Sequence, residues 1–358
     1  MELTKKPFTF ADMYTDDLVS AHHFLLRLNK LLVWQDLEVI LKKAYSVGGS
    51  SNGRPAFGAV LLFKCLLLQY FYALSDEQLQ EQIQDRLSFR KFLGLGLEDV
   101  VPDATRFCRF RKALTDADIW DMLLFQVNKQ LQKHGVLVKT GVLVDASLTE
   151  ASRQPKGKTV YNLEDKTDTA ITPSEQIENT TDAGVDLVKC TGTADVDARW
   201  VVKRGKFCYG YKQHVATNQD GLVLGVQTTP ANKHDSPCFI PLLNSLEIEK
   251  DMLVMADKGY KSKKNDAYLK QKSYKNGILH KAGKGKPLTA EQIAFNKKIS
   301  AVRFAIERTF GGIKAWFRGV RARYLGLAKM HAQHVLQAIC YNLYRVPNLL
   351  PAIPKQTK

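Results

Sequence analysis

The sequence predicts an α/β protein that begins with a purely helical part, and three observations carry that expectation. Apolar residues recur at three-to-four spacing from about residue 16 to 134, the period of amphipathic helices. From Gly141 the period changes to short apolar runs, two of which stop at an acid, GVLVD at Asp145 and MLVMAD at Asp257. A long helical pattern then runs from about Thr289 through Lys314.

The helices expected are Leu18 to Trp34, Gln35 to Tyr45, Ala59 to Leu74, Asp76 to Phe92, and Ala104 to His134 with a break near Thr115. Ser75 before DEQL and Thr115 before DADIW read as N-caps, and GLGLED and HGV as breaks. DEQLQEQIQDRLSFRKFLGL and PDATRFCRFRKAL suggest a helix-turn-helix-like pair with arginines outward. Beyond GVLVDAS, residues 151 to 200 are polar and read as an insertion. FCYGYKQHVAT and GLVLGVQTTP, joined at NQDG, read as a hairpin. SPCFIPLLNSL reads as a helix, MLVMAD as a strand, KKNDAYLKQK as a helix and NGILHK as a fifth strand. The expected domains are a helical part over 1–138, an α/β part over 139–346 and a tail over 347–358.

Composition narrows the class. The chain of 358 residues carries a net charge of +16, distributed unevenly. From Lys258 onward there are 22 lysines and arginines against three acids, Asp266, Glu291 and Glu307, whereas residues 1–257 carry 30 against 33. A polyanion lying along the C-terminal part explains that split better than solubility does. The apolar stretch Ala59 to Leu74 is broken by Lys64 and Gln69, too short for a membrane span and expected to be a buried helix. MELTKKPFTF has no apolar signal core, so a cytoplasmic, nucleoid-associated protein is expected. Six cysteines without a CxxC pair argue for a reducing compartment.

Asp145 and Asp257 sit at strand ends, where ligand-binding groups collect in open α/β sheets, although each also suits a turn. Glu307 is the lone acid of RFAIERTFGGIKAWFRGVRARY, which holds six lysines and arginines. Arg303, Glu307 and Lys314 share one helix face, with Val302, Ile306, Ile313, Phe317 and Val320 expected on the core face. An exposed ion pair one turn apart would contribute only ~0.3–0.5 kcal/mol. Gly311 leaves room for a phosphate backbone, or marks a break in the helix.

The carriers GRPAFGAVLLFKCLLLQ, PDATRFCRFRKAL, LVDASLTEA, DVDARW, KFCYGYKQHVAT, ANKHDS, VMADKGY and RFAIERTFGGIKAWFR occur in an order and spacing that resemble the DDE transposases of bacterial insertion sequences, in particular the fifth insertion-sequence family. The resemblance covers about Arg54 to Arg345 and implies an RNase H-like mixed sheet with flanking helices. It implies that Asp145, Asp257 and Glu307 bind divalent metal, Mg2+ with Mn2+ as a substitute, and act as the catalytic carboxylates. Its Tyr-x2-Arg-x3-Glu-x6-Lys signature is matched by Arg303, Glu307 and Lys314, with Ser300 in place of the tyrosine. It further implies double-stranded DNA (terminal inverted repeats and target) as partner and a homodimer to pair two ends, and only through it is the helical part over 1–138 given a DNA-binding and dimerisation role. Three clustered carboxylates repel without a cation, and hard oxygen donors with substrate phosphates suit magnesium.

Arg303, Lys314, Lys258, Arg318 and Lys212 are the expected DNA contacts. Strand alternation puts Tyr209 and Tyr211 on one face and Lys212 and His214 on the other. Trp316 is expected in the core, and His234, Asp235, Asp195 and Asp197 are expected to be structural. The competing readings are a catalytically inactive DNA-binding relic or repressor, a tyrosine recombinase built on Tyr341 or Tyr344, and a metal-dependent nuclease.

Overall fold

In the computed structural model the described residues are 18–45, 56–137, 141–155, 161–163, 188–190, 194–203, 205–283, 285 and 287–349. Helices α1 (Phe24–Leu31), α2 (Trp34–Ala44), α3 (Ala59–Phe71), α4 (Asp76–Asp85), α5 (Leu87–Leu93), α6 (Ala104–Asp116) and α7 (Trp120–Lys133) form the N-terminal part. The first expected helix, from Leu18, starts only at Phe24, and two others are divided, one of them where a break was expected. Arg86, in extended conformation, splits α4 from α5, and the break near Thr115 falls at Asp118, whose φ is +50°. Ser75 caps α4 in a capping box with Gln78. The apolar α3 is buried along most of its length, with Phe63, Leu66 and Leu67 fully enclosed.

The helix-turn-helix-like pair does not turn all its arginines outward. Arg111 forms a bidentate pair with Asp76 at 2.6 and 2.7 Å, with Gln69 bonded to both. Arg90 is also buried, donating to the Gly96 carbonyl at 2.5 Å. Arg109 and Lys112 stay on the exposed face of α6.

The strands that follow are β1 (Val142–Glu150), β2 (Tyr161–Leu163), β3 (Val188–Cys190), β4 (Arg199–Lys203), β5 (Lys206–Thr217), β6 (Val223–Pro230), β7 (Leu253–Ala256) and β8 (Lys275–Ile278). The main sheet runs β6-β5-β1-β7-β8 across its width. β1, β5 and β6 are antiparallel neighbours, whereas β7 and β8 lie parallel to β1. This is the mixed order expected of an RNase H-like sheet. The five expected strands are all present, and β4, which pairs with the start of β5, is an addition. Much of the expected insertion, residues 156–160, 164–187 and 191–193, lies outside the described residues, as does the tail from 350.

Four helices complete the layer: α8 (Phe239–Asn244), α9 (Lys263–Gln271), α10 (Ala290–Trp316) and α11 (Leu327–Leu349). α8 and α9 cover one face of the sheet through Phe239, Leu242 and Leu269 against Val142, Val144 and Val254. The other face, through Leu143, Val215 and Met255, packs on α10, α11 and the N-terminal helices in one continuous core. Ile306 and Ile313 of α10 and its C-cap Phe317 are buried as expected, but Val302 is 36% exposed and Val320, beyond the end of the helix, 48%. Among the described residues no single helix is long and apolar enough to cross a membrane. Only α3 with α4, bent by 103°, passes by length and composition together, and α3 belongs to the core.

The Arg111–Asp76 pair yields a test. Burial raises the Asp76 carboxyl, but the hydrogen bonds and charge of Arg111 outweigh it and hold it below the usual carboxylate range. Its stabilising contribution is therefore present above the unfolded pKa and lost as pH falls through the depressed folded value. Arg111→Ala should cost ~2–3 kcal/mol in urea denaturation at pH 7, towards the low end for a buried pair because the Asp76 side chain is 22% exposed. The variant should also lose the part of the acid-side fall in stability that Asp76 supplies.

Candidate active site

Asp145 lies midway along β1, and Asp257 follows the last residue of β7. Because β1 and β7 are parallel neighbours, with Val144 opposite Ala256, the next residue on each strand brings the two carboxylates side by side. Two like charges at that spacing need a cation between them. Arg303 of α10 supplies one, its Nη2 2.7 Å from Asp145 Oδ2 and its Nη1 3.4 Å from Asp257 Oδ1. The Arg303 Nε is buried without a partner, so the guanidinium is only partly satisfied there.

Burial pushes the Asp145 carboxyl above its ordinary range. The Arg303 charge and the 2.8 Å hydrogen bond from the Ala146 amide pull against this, while Asp257 adds to the rise. Asp145 thus sits where an ionised carboxylate lacks enough positive charge, an environment that favours a further cation. The hard oxygens of Asp145 and Asp257 therefore fit a divalent ion.

Glu307, one turn beyond Arg303, is exposed on α10 and forms no ion pair with Arg303, which is turned to the aspartates instead. The simple helix-surface pair is therefore not formed. Among the described residues no group of three acids, histidines or cysteines is assembled to hold one ion, so the structure brings together Asp145 and Asp257 and leaves Glu307 apart from them. Lys258 is exposed in the 3-10 turn after Asp257, and Arg318 is exposed beyond the end of α10 with φ of +50°. Lys314 is half-buried, and its ammonium is pulled down in pKa by burial and by Lys203. Ser300 is exposed on the same helix.

Lys212 is held inward, its Nζ 2.9 Å from Asp235 Oδ1 and 2.6 Å from the Lys233 carbonyl. His214 is buried between Tyr260 (3.2 Å) and Thr229 (3.1 Å), and burial lowers its pKa to about 4, so it is neutral at pH 7. Trp316, expected in the core, is 43% exposed, one face stacked on Tyr341 at 5.9 Å. Gly312 explains that packing, since an added Cβ would lie 2.7 Å from Tyr341, whereas Gly311 faces open space. Asp195 and Asp197 are structural, accepting from the Gly326 and Leu327 amides at the start of α11.

The residues that hold the Asp257 turn were not singled out from the sequence. Asn265 donates to the Tyr260 carbonyl at 2.7 Å and to Ser236, tying DKGY to the ANKHDS loop. Gly259 lies against Asp235, where a Cβ would come within 3.2 Å of Oδ2. The signal was present in the pairing of two short motifs, each rich in groups that bond main chain rather than solvent.

A family model described as "Transposase DDE domain" matches residues 137–343, and one described as "Transposase domain (DUF772)" matches 13–113. The transposase for insertion sequence element IS1106 of Neisseria meningitidis serogroup B is 35% identical over 248 residues, 69% of this chain and 79% of that protein. Among solved structures, the piggyBac transposase synaptic complex with hairpin DNA is 11% identical with a TM-score of 0.38, covering 90% of this chain and 72% of that one. The Mos1 strand transfer complex is also 11% identical, with a TM-score of 0.20 over 86% and 83%. With one transposase model spanning more than half of its length and an insertion-sequence transposase at 35% identity, this chain belongs to the DDE transposases, metal-dependent enzymes that cut and join DNA.

Proposed function

We propose that the protein, an insertion-sequence transposase of the fifth family, binds the terminal inverted repeats of its element as a homodimer, hydrolyses each 3′ end and joins it to target DNA. The observation that carries this reading is the placing of Asp145 and Asp257 side by side on parallel strands with a cation between them. These two carboxylates, with Glu307 as a third donor, would hold Mg2+, and Mn2+ would substitute. Bound there, the metal would supply charge that makes a water or 3′-hydroxyl a better nucleophile and stabilises the departing oxygen.

The chain's own part is to hold and orient DNA. In the first step a water oxygen bonds to phosphorus and the bond to the bridging 3′ oxygen breaks, leaving a 3′-hydroxyl. In the second, that hydroxyl attacks a target phosphodiester, whose own 3′ oxygen departs. Lys258 beside Asp257, and Lys314 and Arg318 farther along, would bind the phosphates that flank the reacting one, and Arg303 would join them on releasing Asp145 and Asp257. Lys212 would have to release Asp235 to reach DNA, so its larger part is to hold the loop behind Asp257. Of the N-terminal cations, the exposed Arg109 of α6 would face the repeat, whereas Lys112 on the same face is ion-paired with Asp116. The second reading, an inactive DNA-binding relic, draws on the separation of Glu307 from the other two acids.

On a labelled duplex carrying the element's terminal repeat, cleavage and joining should require Mg2+ and stop with EDTA. Glu307→Gln should reduce both by at least ~10²-fold, the scale of losing a group that stabilises transition-state charge, with DNA binding intact. Binding without cleavage in any metal would favour the relic.

Asp145→Asn should abolish cleavage while sparing stability. The Asp145 pKa is raised on folding, so its contribution is fully present below the unfolded pKa and is lost as pH rises through the folded value. The asparagine variant, measured by urea denaturation without metal, should therefore lose less stability between pH 3 and 7 than the parent.

Arg318 occupies a left-handed conformation that costs a non-glycine residue ~1–2 kcal/mol. Arg318→Gly should leave the fold equally or more stable. It should weaken DNA binding and reduce the salt slope of log K by ~1, one phosphate contact fewer.

A further inference from the structure

We propose that the β4–β5 hairpin, joined by Lys314 of α10, is a second duplex-backbone site between about half and one helical turn of DNA away from Asp145 and Asp257. The proposal rests on the transposase reading above and adds where along the DNA a further grip falls.

Between residues 198 and 219 the sequence has five lysines and arginines and no acid. In the register of the hairpin Lys203 lies directly opposite Lys206, and both side chains are exposed. Like charges paired across two strands weaken a sheet, so folding gains nothing from them there. Lys314 approaches the same end, close enough to Lys203 that each opposes the other's charge. Glu150 comes near Cys208 but forms no ion pair with any of the three, and none of the three has a carboxylate partner among the described residues. Three unneutralised ammoniums converging on one end of a hairpin make a site for phosphate oxygens.

The position follows from the elements themselves. Arg303, at the aspartates, and Lys314 are 11 residues apart on the unbroken α10, which is ~16 Å. Along β5, Val215 pairs with Asp145 and Lys206 lies nine residues nearer the hairpin end, ~31 Å along the strand. At 3.4 Å per base pair, a duplex whose reacting phosphate sits at Asp145 and Asp257 would reach Lys314 ~5 base pairs away and the paired lysines ~9 base pairs away. A second copy of this chain is a poor occupant, because a twofold contact would set these lysines against their own copies.

The opposite face of the hairpin separates this idea from base stacking. Trp200, Val202 and Phe207 project there, with Phe207 75% exposed. The test uses full-length protein and a duplex ending in the element's terminal repeat, read by salt-dependent affinity and by hydroxyl-radical footprinting. Lys203→Ala with Lys206→Ala should lower the salt slope by ~2 and remove protection ~9 base pairs from the cleaved phosphate, with an unchanged melting temperature. Phe207→Ser should change neither readout. A double variant with the parent's slope and footprint would overturn the inference while leaving the function standing. A larger loss from Phe207→Ser than from the lysine pair would replace it with an aromatic contact. Failure of the parent protein itself to bind the repeat would overturn both readings.

Discussion

The arrangement depends on a repulsion that has to be managed. Parallel pairing of β1 with β7 puts two carboxylates at adjacent strand ends, one of them largely buried. No such pair is stable without positive charge between its members, and the fold meets that demand with Arg303, reached by laying a 27-residue helix across the sheet. The helix is therefore both a packing element and the carrier of the compensating charge. Its apolar side, Ile306 and Ile313, fixes where the guanidinium falls, and Thr309 pins the same helix to the β5–β6 turn by donating to the Gly221 carbonyl at 2.7 Å.

Behind the aspartates lies a layer of contacts with a similar purpose. Asn265 donates to the Tyr260 carbonyl, His214 bonds to the Tyr260 hydroxyl and Lys212 holds Asp235, so that the turn bearing Asp257 has few alternatives. Burial keeps His214 uncharged, and an added cation there would compete with Lys212 for Asp235.

Much of this was legible in the sequence, and the exceptions have physical causes. Strands β1, β5, β6, β7 and β8 announced themselves because their apolar runs end at acids, turns or glycines, and those signals are local. Asp145 and Asp257 were recognisable for the same reason. Arg303 was legible as a helix-face residue, but not as the partner of two aspartates 158 and 46 residues away, since that depends on how the helix crosses the sheet. Arg111 misled in the opposite way, looking like a surface arginine while its true partner, Asp76, lay 35 residues earlier. Val302 and Val320 were assigned to the core by periodicity, which reports a face but not where the neighbouring layer ends.

The shared core has a consequence for how such a chain can be divided. α11 packs Leu336, Ile339 and Leu343 into the same cluster as Phe63, Leu66 and Phe110 of the N-terminal helices, and Tyr324 lies against Arg111 from the other part. The first 137 residues thus lack the helix that closes their own hydrophobic interior. A short product made from the front of the gene would expose that interior to water instead of persisting as a competitor for DNA ends.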